Sequence, residues 1–308
     1  MISFADRLTW HAKRLRHRRV AARVLATPPI RQVDDGVVLL SMVGSAVVLP
    51  ALVAIKSLHA QLGRGRVALL DDGSLTPADR ATFAHHLGNP AITHIRDVDL
   101  GAAPPGGTWE RLLHLLDLRR DQYVIQVDSD TVTLGALPEV EQAIDAGRDF
   151  TLRGEAEAAL VEVEALRDRY RGSDPRRPGL HVQDAAEEAM GQVAIAGGAL
   201  RRYARGCSGF AGFAPGGPGR TLAEGFSLEM DRLIGRERWS RWGSEQVTSN
   251  LVVANGSDPL LLPYDRYCNF EDRPLPADMR FVHFIGTCRF HGSAYRDATR
   301  ASIAALGH

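Results

Sequence analysis

The stretch Tyr123-Val-Ile-Gln-Val-Asp-Ser-Asp-Thr-Val-Thr133 carries a short apolar run into two carboxylates one residue apart. Tyr123–Val127 has the β-branched and aromatic content of a buried strand, and Gly135 and Pro138 close the segment. Side chains at i and i+2 of an extended segment point the same way, roughly 6–7 Å apart. Asp128 and Asp130 therefore place two negative charges at one strand exit, which is unfavourable unless a cation or hydrogen-bond donors offset them. Hard oxygen ligands favour Mg²⁺ or Mn²⁺, and such ions commonly hold substrate phosphates as well. Turns and helix caps also use aspartates in this way, so the two uses must be separated by the rest of the chain.

Upstream, strand and helix patterns alternate. Gly36–Val43 is predicted as a strand, and residues 50–62 as a helix with Pro50 in its first turn. Arg66–Leu70 is a strand running into Asp71-Asp72-Gly73, and Thr76-Pro-Ala-Asp79 is a capped helix start reaching His86 or Leu87. Ala91–Ile95 is a strand and Thr108–Leu118 a helix. The alternation predicts an α/β fold with a mostly parallel central sheet, Rossmann-like and flanked by helices on both faces. Ligands of such sheets bind beyond the carboxyl ends of the strands, where Ser41, Asp71 and the Asp128/Asp130 pair are expected.

Downstream, Glu155–Ala204 is charged and is expected to be a helical insertion, with helices at 156–171 and 183–192. Gly206–Pro218 is glycine-rich and is expected to form a tight strand or loop where a ligand approaches the backbone. It is no Walker loop, because no Gly-Lys-Ser/Thr follows. Trp242–Val253 is expected to be a helix carrying Glu245 and Gln246 near its start. Phe281-Val-His-Phe-Ile285 is a short apolar strand interrupted by His283 and followed by Gly286 and Arg289, and a helix over 294–306 ends the chain.

The chain has 308 residues, enough for a large core. Its 37 basic and 37 acidic residues balance, so no global basic field favours nucleic acid. Lys13 and Lys56 are the only lysines, which makes arginine the expected cation for a phosphate or carboxylate. Cys207, Cys268 and Cys288 are odd in number and scattered; neither a disulfide framework nor a structural zinc site is expected, and a reducing, cytoplasmic setting is. No run approaches the length of a membrane span, and no signal-peptide core stands at the N-terminus. Residues 1–31 form a separate basic segment, in which Arg7, Lys13, Arg14, Arg16, Arg18, Arg19 and Arg23 oppose only Asp6. Phe4, Leu8, Leu15, Val20 and Val24 recur there at helical spacing, so a basic solvated helix is expected, with residues 1–25 a possible peripheral contact to the membrane's cytoplasmic face.

Two known patterns present Asp-x-Asp at a strand end. Asp128-Ser-Asp-Thr-Val132 fits haloacid-dehalogenase-type phosphatases literally, but their pair lies on the first strand and needs a later lysine, whereas here three predicted strands precede it and no lysine follows. From about Val37 to Phe290 the chain more closely resembles nucleotide-sugar glycosyltransferases of the GT-A fold, and among them glycosyltransferase family 8. Trp109-Glu-Arg-Leu112 is similar to the family's aromatic-x-Arg-Leu helix, and Asp128-Ser-Asp130 to its metal motif. Cys207-Ser-Gly209 is similar to its Asn-Ser/Ala-Gly strand, with Cys for Asn; Glu245-Gln246 with Asn250 is similar to its Asp-Gln-x-x-Leu-Asn helix, with Glu for Asp and Ser249 for Leu. His283-Phe-Ile-Gly286 is similar to the late His-x-x-Gly, with Arg289 where a Lys is usual and no Pro-Trp beyond it.

The resemblance implies a GT-A-like domain over 32–308, with 155–204 as insertion, that moves a sugar from a nucleotide-diphosphate donor (a UDP-sugar first) to an acceptor with retention of configuration. It implies Mn²⁺ or Mg²⁺ held by Asp130 and His283, with Asp128 a further ligand or a contact to the ribose. A histidine beside carboxylates tilts the metal toward Mn²⁺. Arg289 or Arg111 would hold phosphate oxygens, Gly286 would lie at the phosphates, and Ser41 and Asp71 would line the nucleoside. Glu245 and Gln246 would face the transferred sugar as the catalytic pair. A nucleotide-sugar-binding protein of the same fold without transfer activity is the alternative.

Overall fold

The computed structural model describes residues 4–195 and 200–307, apart from the side chains of 4–8 and 287. The expected apolar positions Phe4 and Leu8, the charges Asp6 and Arg7, and residues 196–199 of the expected insertion lie outside that description. In chain order the first elements are helix α1 (Phe4–Ala21), strand β1 (Val37–Val43), α2 (Val48–Leu62), β2 (Arg66–Asp71), α3 (Pro77–Leu87) and β3 (Ala91–His94). There follow α4 (Trp109–Leu118), β4 (Tyr123–Val127), β5 (Thr131–Thr133), α5 (Pro138–Asp145), β6 (Phe150–Arg153), β7 (Leu160–Glu162), α6 (Val163–Arg169) and α7 (Val182–Ala189). The last are β8 (Arg202–Ala204), β9 (Gly206–Phe213), α8 (Arg220–Ile234), α9 (Arg236–Trp239), α10 (Ser244–Ala254), β10 (Leu260–Leu261), β11 (Tyr267–Asn269), β12 (Phe281–His283) and α11 (Ala294–Ala305). They group into two compact units, one drawn from Met1–His94, Ile125–Glu141 and Pro263–His308, the other from Ile95–Val124 and Gln142–Leu262.

In the first unit β1, β2 and β3 run parallel, with Val43 paired to Asp71 and Asp71 to His94, so their carboxyl ends are level. Val37–Leu40 is buried without a break, as expected of a strand covered on both faces. The expected cap of α3 is present: Thr76 Oγ1 accepts from the Asp79 backbone while Asp79 accepts from that of Thr76. A second, three-stranded sheet has the order β11-β12-β5, with β12 antiparallel to β5 and parallel to β11. By length and composition residues 45–62 could cross a membrane, contrary to the expectation that no run is long enough. In this unit, however, α2 is packed on nearly all sides, and even Lys56 is buried, donating to Thr27 Oγ1 (2.6 Å) and Pro28 O (2.8 Å). The basic helix α1 packs on α11: the His17 ring stacks on Tyr295 with centroids 3.8 Å apart, and His17 Nε2 lies 3.0 Å from Thr299 Oγ1.

In the second unit β6 pairs antiparallel with β9 through a bulge at Thr151/Leu152, and β10 pairs parallel with β6. Gly206 and Gly212 of β9 make room for the protein's own side chains. A Cβ on Gly212 would meet the Phe150 ring at 2.1 Å, and one on Gly206 would meet Asn250 and Thr151. The whole of β9 is buried, and at these two glycines the close approach to the backbone is made by neighbouring side chains. The expected helix over 156–171 is shorter: Leu160–Glu162 is a strand paired antiparallel with Arg202–Ala204, and only Val163–Arg169 is helical. That partner lies some forty residues away, out of reach of a local periodicity. Helix α8, which the sequence reading did not single out, buries Ala223, Phe226, Ser227, Met230, Leu233 and Ile234, a helical face by spacing. Mixed α/β structure with a mostly parallel central sheet flanked by helices agrees with the expected fold class.

Candidate metal and phosphate site

The site lies within the first unit, at the exit of β4. After Val127 the chain turns through Asp128-Ser129-Asp130 and re-enters a strand at Thr131, with Thr131 Oγ1 donating to Asp128 O (2.8 Å). The antiparallel register of β5 and β12 pairs His283 with Thr131, and Phe284 N donates to Asp130 O (2.9 Å). This brings a histidine from 153 residues away against the acidic turn: His283 Nε2 is 3.1 Å from Asp130 Oδ1 and 3.8 Å from Asp128 Oδ2. One donor atom from each of Asp128, Asp130 and His283 lies within 4.8 Å of the other two.

The neighbouring strand supplies a partner that the sequence reading missed. Parallel pairing of β11 and β12 places Asn269 beside His283, with Asn269 Oδ1 3.2 Å from His283 Nδ1. An Nδ1–H that donates to this carbonyl oxygen turns Nε2 toward the two carboxylates. There Nε2 presents either the second proton of an imidazolium or a lone pair, and a lone pair facing carboxylates calls for a cation. One imidazole nitrogen and two carboxylate oxygens suit a divalent ion of intermediate hardness such as Mn²⁺. Nothing in the chain near Asn269 marks it out in advance; it is found only through strand register.

Arg289, in the 3-10 turn Gly286–Phe290, binds Asp130 Oδ2 through Nη2 and the Phe284 carbonyl through Nε (2.8 Å). Both oxygens of the buried Asp130 are thus matched by positive or donor groups. Burial pushes its carboxyl upward, but the charges of His283 and Arg289 outweigh this and hold it below the usual carboxylate range. Gly286 is exposed at the start of the turn with φ +54°, in the left-handed region. His17 flanks Arg289; burial, then the Arg289 charge, lowers it to about 4, so the ring is neutral near pH 7.

Ser41 and Asp71 occupy the expected strands in the same unit. Ser41 is fully buried and its Oγ has no hydrogen-bond partner among the described residues. Asp71 is engaged in the turn after β2: Oδ1 accepts from Gly73 N (2.8 Å) and Leu75 N (3.3 Å), and Oδ2 pairs with Arg80.

Arg111, Glu245 and Gln246 lie in the second unit. Arg111 Nη2 is 3.4 Å from both Glu245 carboxylate oxygens and 3.4 Å from Ser208 Oγ. Ser208 and Thr108 also donate to Glu245 Oε2, at 3.3 and 2.9 Å, and Glu245 is 2% exposed. The motif residues Arg111, Ser208 and Glu245 therefore form one buried cluster, in which Arg111 holds a carboxylate. Thr108 does so with φ +73°, a costly backbone conformation for a β-branched residue. Gln246 is half-buried at the start of α10.

The sequence matches no protein-family model and no curated protein. Among solved structures the chain is similar to the bifunctional glycosyltransferase WbbM in its apo form, at 13% identity with a TM-score of 0.52, over 90% of this chain and 51% of that one. This chain thus spans about half the length of WbbM. It is also similar to an active-site mutant of LgtC, at 10% identity with a TM-score of 0.50, over 85% of this chain and 94% of that one. Backbone likeness at this level of identity establishes architecture: the chain has the GT-A fold of glycosyltransferases.

Proposed function

We propose that the protein is a metal-dependent glycosyltransferase of the family 8 kind, taking a sugar from a nucleotide-diphosphate donor, first of all a UDP-sugar, and passing it to an acceptor with retention. The observation that carries this reading is the convergence of Asp128, Asp130 and His283, whose donor atoms lie within 4.8 Å of one another at a strand exit. Asp130 and His283 would hold Mn²⁺ or Mg²⁺, Asp128 would complete the set or touch the ribose, and Asn269 would fix the His283 tautomer. A bound divalent ion supplies Lewis-acid stabilisation of the charge that grows on the departing diphosphate. Arg289, tethered to the Phe284 carbonyl, is the fixed cation for the phosphate oxygens, and such preorganised charge acts where negative charge develops. Ser41 and Asp71 are assigned to the nucleoside and Gly286 to the phosphates. Glu245 and Gln246 are assigned to the transferred sugar, with Arg111 positioning Glu245.

The test is release of UDP from a panel of UDP-sugars, with Mn²⁺, with Mg²⁺ and with EDTA, in the presence and absence of sugar acceptors. Release should require the metal, and Asp130→Ala and His283→Ala should be inactive with an unchanged circular dichroism spectrum. Wild-type rates in both variants would refute the assignment. Metal-dependent nucleotide binding without any release would favour a binding protein of the same fold.

A further inference from the structure

We propose that the N-terminal helix α1 is a working wall of the donor cavity, and that Arg14 and Arg18 bind the diphosphate of the nucleotide-sugar donor. This rests on the function proposed above and extends it to a segment that lies outside every motif of the resemblance. A cavity of about 540 Å³ opens beside the acidic turn, within the size range of small-molecule sites. Ser129, Asp130 and Arg289 form one side of it, residues 45–50 leading into α2 another, and Trp10, Arg14 and Arg18 of α1 a third.

The charges of α1 are arranged for an anion. Trp10, Arg14 and Arg18 are spaced four residues apart and so share one helix face, with Arg14 lying over the Trp10 ring at 5.7 Å. Like charges four apart destabilise a helix, and neither arginine has an ion-pair partner among the described residues to offset this. The two acids of the cavity are already satisfied, Asp79 by Ser45 and the Thr76 cap, Asp130 by His283 and Arg289. Arg14, Arg18 and Arg289 therefore face the ionised Asp79 and Asp130, a surplus of one positive charge that rises once a divalent cation is held. A diphosphate matches it, because guanidinium grips phosphate oxygens in pairs. The helix is held in place independently of any ligand by the His17–Tyr295 stack and the edge-to-face contact of Trp10 with Phe290.

The experiment is calorimetric titration of the full chain with UDP, and separately with uridine, in saturating Mn²⁺, alongside titration with Mn²⁺ alone. The variants are Arg14→Gln, Arg18→Gln and the double substitution; both side chains are exposed, so thermal midpoints should hold. The double variant should bind UDP roughly tenfold or more weakly, the scale of losing charge-assisted hydrogen bonds, while uridine and Mn²⁺ binding stay unchanged. Arg14→Lys with Arg18→Lys should restore part of the loss. Equal UDP affinity in the wild type and the double variant would overturn the role of α1 and leave the donor reading standing. A wild type that binds no UDP, GDP or ADP with Mn²⁺ would overturn the donor reading and this inference with it.

Discussion

Asn269 governs what His283 can offer. Its side-chain oxygen accepts a hydrogen bond from an Nδ1–H and leaves Nε2 pointed at Asp130, as outer partners do for metal-binding histidines. Asn269→Ala should raise the Mn²⁺ concentration needed for half-maximal UDP release by roughly 10–100-fold, with activity recovered at excess Mn²⁺. An unchanged midpoint would show that Asn269 does not orient the ligand. Of these residues, the Asp128/Asp130 pair stood out in the sequence as carboxylates at i and i+2, whereas His283 was singled out through the motif order of the resemblance, since a histidine in an apolar strand is by itself an ordinary core residue. Asn269 was not legible, since its meaning arises only when β11 is laid beside β12. Arg111 and Glu245 were legible as motif residues, but their mutual engagement was not, because α4 and α10 are brought together only by the fold.

Among the elements, those with local boundary signals read cleanly, while the 15-residue α8 and most of the shortest strands did not. The strand at 123–127, the capped helix starting at Pro77 and the helix ending at Leu62 each carry their boundaries in local residues, a cap or a turn glycine. The two- and three-residue strands β5, β7, β8, β10 and β11 depend on distant partners instead. One such long-range tie is the buried pair at the end of α4: Arg119 Nη2 lies 2.9 Å from Asp149 Oδ1, and the guanidinium also donates to Ala214 O and Pro218 O. Arg119→Met should cost roughly 3–5 kcal/mol in urea unfolding, because it strands a buried carboxylate, while Arg119→Met with Asp149→Leu should cost less than the two single changes summed. A loss under about 1 kcal/mol, the scale of an exposed pair, would contradict the burial. Lys56 ties α2 to Thr27 and Pro28, and burial lowers it to about 8. Below pH 8 it is charged in both the native and the unfolded chain. Between about 8 and its ordinary 10.5 the unfolded chain keeps a proton that the native state has released, so this group makes native stability rise with pH across that window. The stability difference between wild type and Lys56→Met should shift in favour of wild type from pH 8 to 10; a difference that stays flat would contradict it.

For the whole molecule, equal numbers of acids and bases conceal a local asymmetry. Arg14 and Arg18 of the first helix line a cavity next to an acidic turn, so net charge alone is a poor guide to the local field. Strand alternation announced the α/β architecture, whereas the place of the N-terminal helix depends on ring contacts of His17 with Tyr295 in α11 and of Trp10 with Phe290 in the preceding turn, which no local pattern foretells. The central claim is that the acidic turn after β4 and the histidine of β12 share one divalent cation. It is tested most directly by titrating Mn²⁺ into the protein and following free Mn²⁺ by electron paramagnetic resonance, in wild type, Asp130→Ala and His283→Ala, with thermal unfolding as the control for folding. The account predicts a bound Mn²⁺ in wild type that is lost in both folded variants; binding that persists in both, or is absent from wild type, would contradict it.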